Sequence, residues 1–290
     1  MLLECVINIS EGRDSDRVAA IADGAGDTLL DLHRDPDHHR SVLTLGGESG
    51  AVEDAARSVI SLAVSQLDLT DHQGAHPRFG VVDVVPFVPL DDAGLGDAVA
   101  VRDRVAAWEG ADLGVPCFYY GPERPLPEVR REAFVTLQPD TGPAVPHPTA
   151  GATAVGARPL LVAYNVWLAV NEDGTDDSEG ALAMAREIAS TIRSPSVRSL
   201  GLAVTGGAQV SCNLVDPHTT GVVELYDTIA RLVTTSGGSA VRGELVGLLP
   251  ASLLHNVPNA RWNELDLSED RTIEARMEAR GTPLAAGSPS

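Results

Sequence analysis

The 290 residues, 43 % of them hydrophobic, suffice for one large globular core or two ordinary ones. A formal charge of −20, with cations scattered along the chain, argues against a nucleic-acid partner, whose phosphates would be repelled. All 21 cations are arginine, which excludes a pyridoxal-phosphate Schiff base, a lysine nucleophile and a P-loop lysine together. No run of eighteen apolar residues occurs, and MLLECVINIS lacks a basic n-region and a small-residue cleavage site. No membrane association and a cytoplasmic location are therefore expected. Cys5, Cys117 and Cys212 are odd in number and far apart, so they read as buried small hydrophobes rather than a disulfide framework or thiolate cluster.

In chain order, ECVINIS (4–10) reads as a strand and residues 14 to about 25 as a short helix started by an aspartate. A strand at 28–32, the loop RDPDHHR and a strand SVLTLGG follow. Residues 50–67 carry apolar side chains at 52, 55, 56, 59, 60, 63, 64 and 67, the helical i, i+3, i+4 spacing. VVDVVPFVP then completes a βαββαβ order. Residues 94–110 predict another helix, VPCFYYG a short strand, and 139–156 a Pro/Gly/Thr-rich connection. The order βαββαβ recurs from 158 onward: strand 158–170, helix 178–193, strands 199–204 and 209–216, a helix ending on glycine, and the strand GELVGLLP. The expected class is α/β (α+β), with two ferredoxin-like subdomains, 1–157 and 158–280, a disordered tail at 281–290, and a ligand groove between the subdomains.

The stretch HQGAHPRFG (72–80) places two histidines four apart. On a helix they would form a zinc face, but Gly74 and Pro77 make that helix improbable. Histidine titrates near ~6.5, so a neutral-pH acid/base role suits His76, which lies between two backbone constraints. His72 orients it or caps a turn, and Arg78 clamps a carboxylate or forms a surface ion pair. The upstream loop offers His33, Asp35, Asp37, His38 and His39, which with His76 keep a metal-dependent hydrolase open as an alternative.

ECVINISEGR, DHHRSVLTL, DHQGAHPRFGVVDVVPFVP, HPTAGATAVGARPLLVAYNV, AQVSCNLVD and GELVGLLP resemble, in order, the signature blocks of the glutamate formiminotransferases (formimidoyltransferases). The resemblance runs from residue 4 to about 250. It implies two α/β subdomains, usually as a homodimer. It also implies transfer of a formimino group from N-formimino-L-glutamate to N5 of tetrahydrofolate, the co-substrate, in histidine breakdown, with no metal or pyridoxal phosphate. By position the family's catalytic histidine falls on His76, with Asp37 as a cation-stabilising or ring-orienting group and Arg40 and Arg78 for the substrate carboxylates. The folate-contacting segment falls on Gly142, Pro143, Ala144, Val145, Pro146, His147, Pro148, Thr149, Ala150 and Gly151. Three positions depart from the family pattern. His33 stands where an acid is expected, His39 precedes Arg40, and Trp167 replaces a small amide. These departures also admit a diverged relative that binds folate or another heteroaromatic ligand without formimino transfer.

Overall fold

A computed structural model describes residues 1–74, 78–169, 178–282 and 284. The chain divides into two compact units, Met1–Pro159 joined by the chain from Met277 onward, and Leu160–Arg276.

In the first unit, β1 (Leu2–Ile9) is apolar on nearly every residue because it runs through the middle of a sheet covered on its faces. Helix α1 (Ser15–Ala22) starts where the Asp14 side chain accepts the Arg17 N–H at 3.0 Å. Strands β2 (Leu29–Asp35) and β3 (Arg40–Glu48) form a hairpin. The predicted spacing then appears as α2 (Ser49–Gln66), which buries Val52, Ala55, Ala56, Val59, Ile60 and Ala63 in the same core as Ile7, Leu43 and Leu45. After β4 (Val82–Leu90) come α3 (Leu95–Trp108), β5 (Cys117–Tyr120), α4 (Leu126–Glu132) and β6 (Thr153–Ala157). The sheet order is β2-β3-β1-β4-β6-β5. Its first four strands, with α1 and α2, have the ferredoxin-like arrangement, and β6 and β5 extend it in parallel.

Strand β6 begins within the stretch 139–156 expected to be a connection and runs one residue past it. Its sequence TAVGA lacks bulky residues because it is sandwiched between β4 and β5 and packed from above: a Cβ on Gly156 would stand 2.3 Å from the Tyr120 ring.

The second unit repeats the order with β7 (Val162–Ala169), α5 (Ser178–Thr191), β8 (Val197–Val204), β9 (Gly207–Leu214), α6 (Val222–Thr235) and β10 (Ser239–Val246). Its sheet, β10-β7-β9-β8, has the same strand permutation as the first four strands of the other unit. Alternate residues Tyr164, Val166, Val210 and Cys212 pack in one core with Ala185, Ile188, Leu225 and Ile229 of the two helices. Short helices α7 (Ala251–Leu254) and α8 (Ile273–Ala279) follow. The three cysteines are buried and unbridged, and burial pushes their thiols up. Among the described residues no helix is long and apolar enough to cross a membrane.

One buried acid gives the first unit a pH signature. Helix α3 ends in a π-turn (Glu109–Leu113), where wholly buried Glu109 accepts the Thr153 hydroxyl at 2.5 Å. Burial pushes its carboxyl up to about 7, so the native state holds a proton that the unfolded chain releases at the ordinary carboxylate value. This contribution is present at acid pH, falls as pH rises toward about 7 and is flat beyond, a span of roughly 3 kcal/mol. Glu109→Gln is expected to remove that slope. Denaturant unfolding from pH 4.5 to 8 should show the variant gaining on the parent as pH rises, and parallel curves would refute the assignment.

Candidate active site

The C-terminal end of β1 runs into Ser10 and Glu11, and Glu11 organises what surrounds it. Its Oε1 accepts the backbone N–H groups of Gly12, Arg13 and Asp14 at 2.9, 2.8 and 3.1 Å, and the Nε2–H of His39 at 3.0 Å. Burial pushes this carboxyl up, but the Arg13 and Asp14 amides and the His39 ring outweigh it and hold Glu11 below the usual carboxylate range. Glu11→Ala would leave three amides without their acceptor and is expected to cost about 2–4 kcal/mol at neutral pH. Because the native pKa is depressed, that contribution is complete above the ordinary carboxylate value and is lost as pH falls below it. Urea unfolding at pH 7 and pH 3 checks both size and sign.

His39 occupies the tight turn between β2 and β3 with φ 50°, a left-handed backbone costing a non-glycine residue about 1–2 kcal/mol. Its Nδ1–H donates to the Gln73 carbonyl at 2.9 Å, and its ring stacks on His72 with centroids 4.0 Å apart. His72 in turn donates from Nε2 to the His39 carbonyl at 2.8 Å and receives the Arg78 guanidinium on its ring. Gly74 permits this contact, since a Cβ there would stand 2.5 Å from the His38 carbonyl. Farther along, Ser10 donates to the Gly80 carbonyl at 2.8 Å, and its own N–H to that of Val81 at 2.8 Å. The chain on both sides of residues 75–77 is thus pinned to the β1 end and to the β2–β3 turn. His76 itself lies outside the described residues.

Of the other predicted residues, Arg40 stays within electrostatic reach of Asp83, Arg130 and Arg78. Arg40, at the start of β3, donates from Nε to Asn8 Oδ1 at 2.7 Å, and burial pulls it down to about 10. His38 is buried and paired with Asp35 at 3.1 Å, while Asp37 is half-buried in the same turn. His33 lies half-buried on β2, and Trp167 belongs to the second unit. Among the described residues no three His, Cys, Asp or Glu side chains are placed to hold a metal ion.

Two charged residues not singled out from sequence complete the cluster. Asp83, near the start of β4 and only 3 % exposed, accepts the Phe79 N–H at 3.1 Å and both Nη groups of Arg130 from α4 at 3.1 and 2.5 Å. The only signal in the sequence was an acid inside the apolar strand VVDVVPFVP. Arg130 also lies over the Phe79 ring, 5.8 Å from its centroid. The two help line a cavity of about 360 Å³ with Phe134, Pro146, His147 and Gly151.

The predicted folate segment reaches this cavity with its second half. Pro146, His147, Pro148 and Gly151 line it, whereas Gly142 to Val145 do not. His147 and Gly151 exchange backbone hydrogen bonds at 2.7 and 3.0 Å, and His147 Nδ1 accepts the Ala150 N–H at 3.0 Å. The carbonyls of Thr149 and Ala150 accept the N–H groups of Leu69 and Val81, at the two ends of the stretch that carries the histidines. Aromatic faces, a guanidinium and a rigid Pro/Gly wall therefore border one small cavity beside that stretch, a setting suited to a flat anionic organic ligand.

Residues 2–158 match the family model described as the formiminotransferase domain, N-terminal subdomain. The chain is 35 % identical over 305 residues to a glutamate formimidoyltransferase of Thermoplasma acidophilum, covering 96 % of this chain and 97 % of that one. It is 35 % identical over 282 residues to a glutamate formimidoyltransferase of Streptococcus pyogenes, with 88 % and 91 % covered. A formimidoyltransferase-cyclodeaminase of Gallus gallus is 32 % identical over 281 residues, matching 86 % of this chain and 50 % of the longer protein. Together with the paired ferredoxin-like units, these matches establish that the chain is an enzyme of the formiminotransferase family.

Proposed function

We propose that the enzyme moves a formimino group from N-formimino-L-glutamate to N5 of tetrahydrofolate, a reaction of histidine breakdown, with His76 handling the proton. The observation that carries this reading is the clamping of residues 72–74 and 78–81 against the β1 end and the β2–β3 turn. Phe79, on the described flank that follows, also lines the cavity with Arg130. Attack of N5 on the sp² amidine carbon gives a tetrahedral centre bearing three nitrogens. A base takes the N5 proton, and an acid delivers a proton to the glutamate nitrogen as its bond to carbon breaks. One imidazole near neutrality does both in turn.

Arg40 and Arg78 are proposed to meet the donor's carboxylates, with Arg78 also fixing the His72 ring, and Asp37 to orient the histidine or stabilise its charged form. The segment Gly142–Gly151 is proposed to meet tetrahydrofolate, chiefly through the residues from Pro146 onward that line the cavity. Homodimer formation in the cytoplasm, carried by the family resemblance alone, completes the reading. The test is release of glutamate from N-formimino-L-glutamate with and without tetrahydrofolate. Acceptor-dependent release is expected. Binding of tetrahydrofolate without any release would instead support the ligand-binding relative.

A further inference from the structure

In the turn between β2 and β3, the ring of His39 is mostly buried and meets an acceptor at each nitrogen. Nε2 stands 3.0 Å from Glu11 Oε1, and Nδ1 stands 2.9 Å from the Gln73 carbonyl. A backbone carbonyl has no proton to give. Glu11 Oε1 has none either, because it already receives the amides of Gly12, Arg13 and Asp14. A neutral imidazole carries one N–H and one lone pair, so one of the two contacts would then set lone pair against lone pair. Turning the ring over would instead bring carbon to both acceptors. Both contacts are hydrogen bonds only when His39 holds two ring protons and a positive charge.

The charged groups around the ring come from every neighbouring element. His72, stacked on it at 4.0 Å between centroids, donates from Nε2 to the His39 carbonyl and turns Nδ1 to the Arg78 guanidinium, which makes it the neutral member of the pair. Beyond Glu11 lie Arg17 of α1, 3.9 Å from its second oxygen, and Arg13, whose Nε donates to the Pro36 carbonyl. Arg34 of β2 donates to the Gly12 carbonyl. Within the turn His38 pairs with Asp35, with Asp37 before His39 and Arg40 after it. We infer that His39 is a positioning residue for the transfer step: as an imidazolium it ties Gln73, three positions before His76, to the Glu11 carboxylate at the end of β1. Loss of one ring proton unties one end. The positioning role rests on the transfer reading, whereas the charge state rests on the contacts alone.

NMR of the histidine ring nitrogens in the full chain reads the charge state without any reaction. At about pH 6 the His39 ring, assigned through its own backbone, should show both its Nδ1 and Nε2 protons, each shielded from exchange with water by its acceptor. His72 should show the Nε2 proton alone. One missing ring proton on His39 would overturn the inference.

His39→Asn supplies the functional arm, since asparagine tolerates a left-handed backbone but its one amide cannot span both acceptors. From about pH 5.5 to about pH 9, kcat of the parent is compared with that of the variant. The parent should be about 10-fold faster at the acid end, the worth of one charge-assisted hydrogen bond, with KM little changed. The advantage belongs to the charged ring, so the ratio should fall toward one as pH rises and His39 gives up a proton. A ratio that stays constant across that range would overturn the positioning role. Failure of the two ideas is separable. Both ring protons present without any formimino transfer removes the transfer reading and leaves the imidazolium tie, whereas transfer with a ring proton missing, or with a constant ratio, removes this inference alone.

Discussion

Replacing His76 by alanine is expected to lower kcat by a factor of ~10² to 10⁴ with little change in the affinity for tetrahydrofolate. The basis is chemical. The reaction requires a proton to leave N5 and another to reach the departing glutamate nitrogen, and the chain has no lysine to share that work. Water can substitute for the imidazole only at the cost of that factor. The parent should show a bell-shaped dependence of kcat on pH, and the variant should lose one limb of it. The His72–His39 stack and the Glu11 contacts hold the neighbouring backbone without using His76, so the variant should fold as the parent does. A near-parental rate in a folded His76→Ala protein would remove the histidine from the mechanism.

A large effect on stability and activity together is expected at Asp83. Its carboxylate, 3 % exposed, fixes the Phe79 N–H and the Arg130 guanidinium at once. Asp83→Ala would remove the carboxylate from beside a partly buried cation and leave an amide without this acceptor, costing about 3 kcal/mol. The same change frees one end of the stretch that carries His76, so kcat should fall together with stability. Asp83→Asn separates the two roles. It keeps an oxygen for Phe79 but not the charge for Arg130, and should recover activity more fully than stability. Urea unfolding and steady-state kinetics of both variants check this. A loss under 0.5 kcal/mol in Asp83→Ala would contradict it.

The elements with strong periodicity were legible from the amino acids alone. Helix α2 is one case, since eight apolar positions at helical spacing admit no other regular structure, and the alternation in β7 and β9 is another. Strand β6 was not legible, because a small-residue strand flanked by prolines and glycines has the composition of a connection. Its identity is set by the Tyr120 ring that only a glycine at 156 can admit.

At the candidate site, the residues that lie within one recognisable block were readable, and those joined across the chain were not. The Asp83–Arg130 pair spans 47 positions, and neither residue has a local pattern that announces the other. His39, a departure from the family pattern, shares the Glu11 oxygen and stacks on His72. That pairing depends on a left-handed turn invisible in the string DHHR. Trp167 shows the same limit. It read only as a replacement for a small amide, while its indole N–H reaches Glu244, which lies 77 positions later.

Transfer itself is the central claim, and following the carbon tests it most directly. With N-formimino-L-glutamate labelled with ¹³C at the formimino carbon, NMR should show the label passing to N5 of tetrahydrofolate as glutamate appears in equal amount. Label found in a hydrolysis product with or without tetrahydrofolate, or left on the donor while tetrahydrofolate is bound, would contradict it.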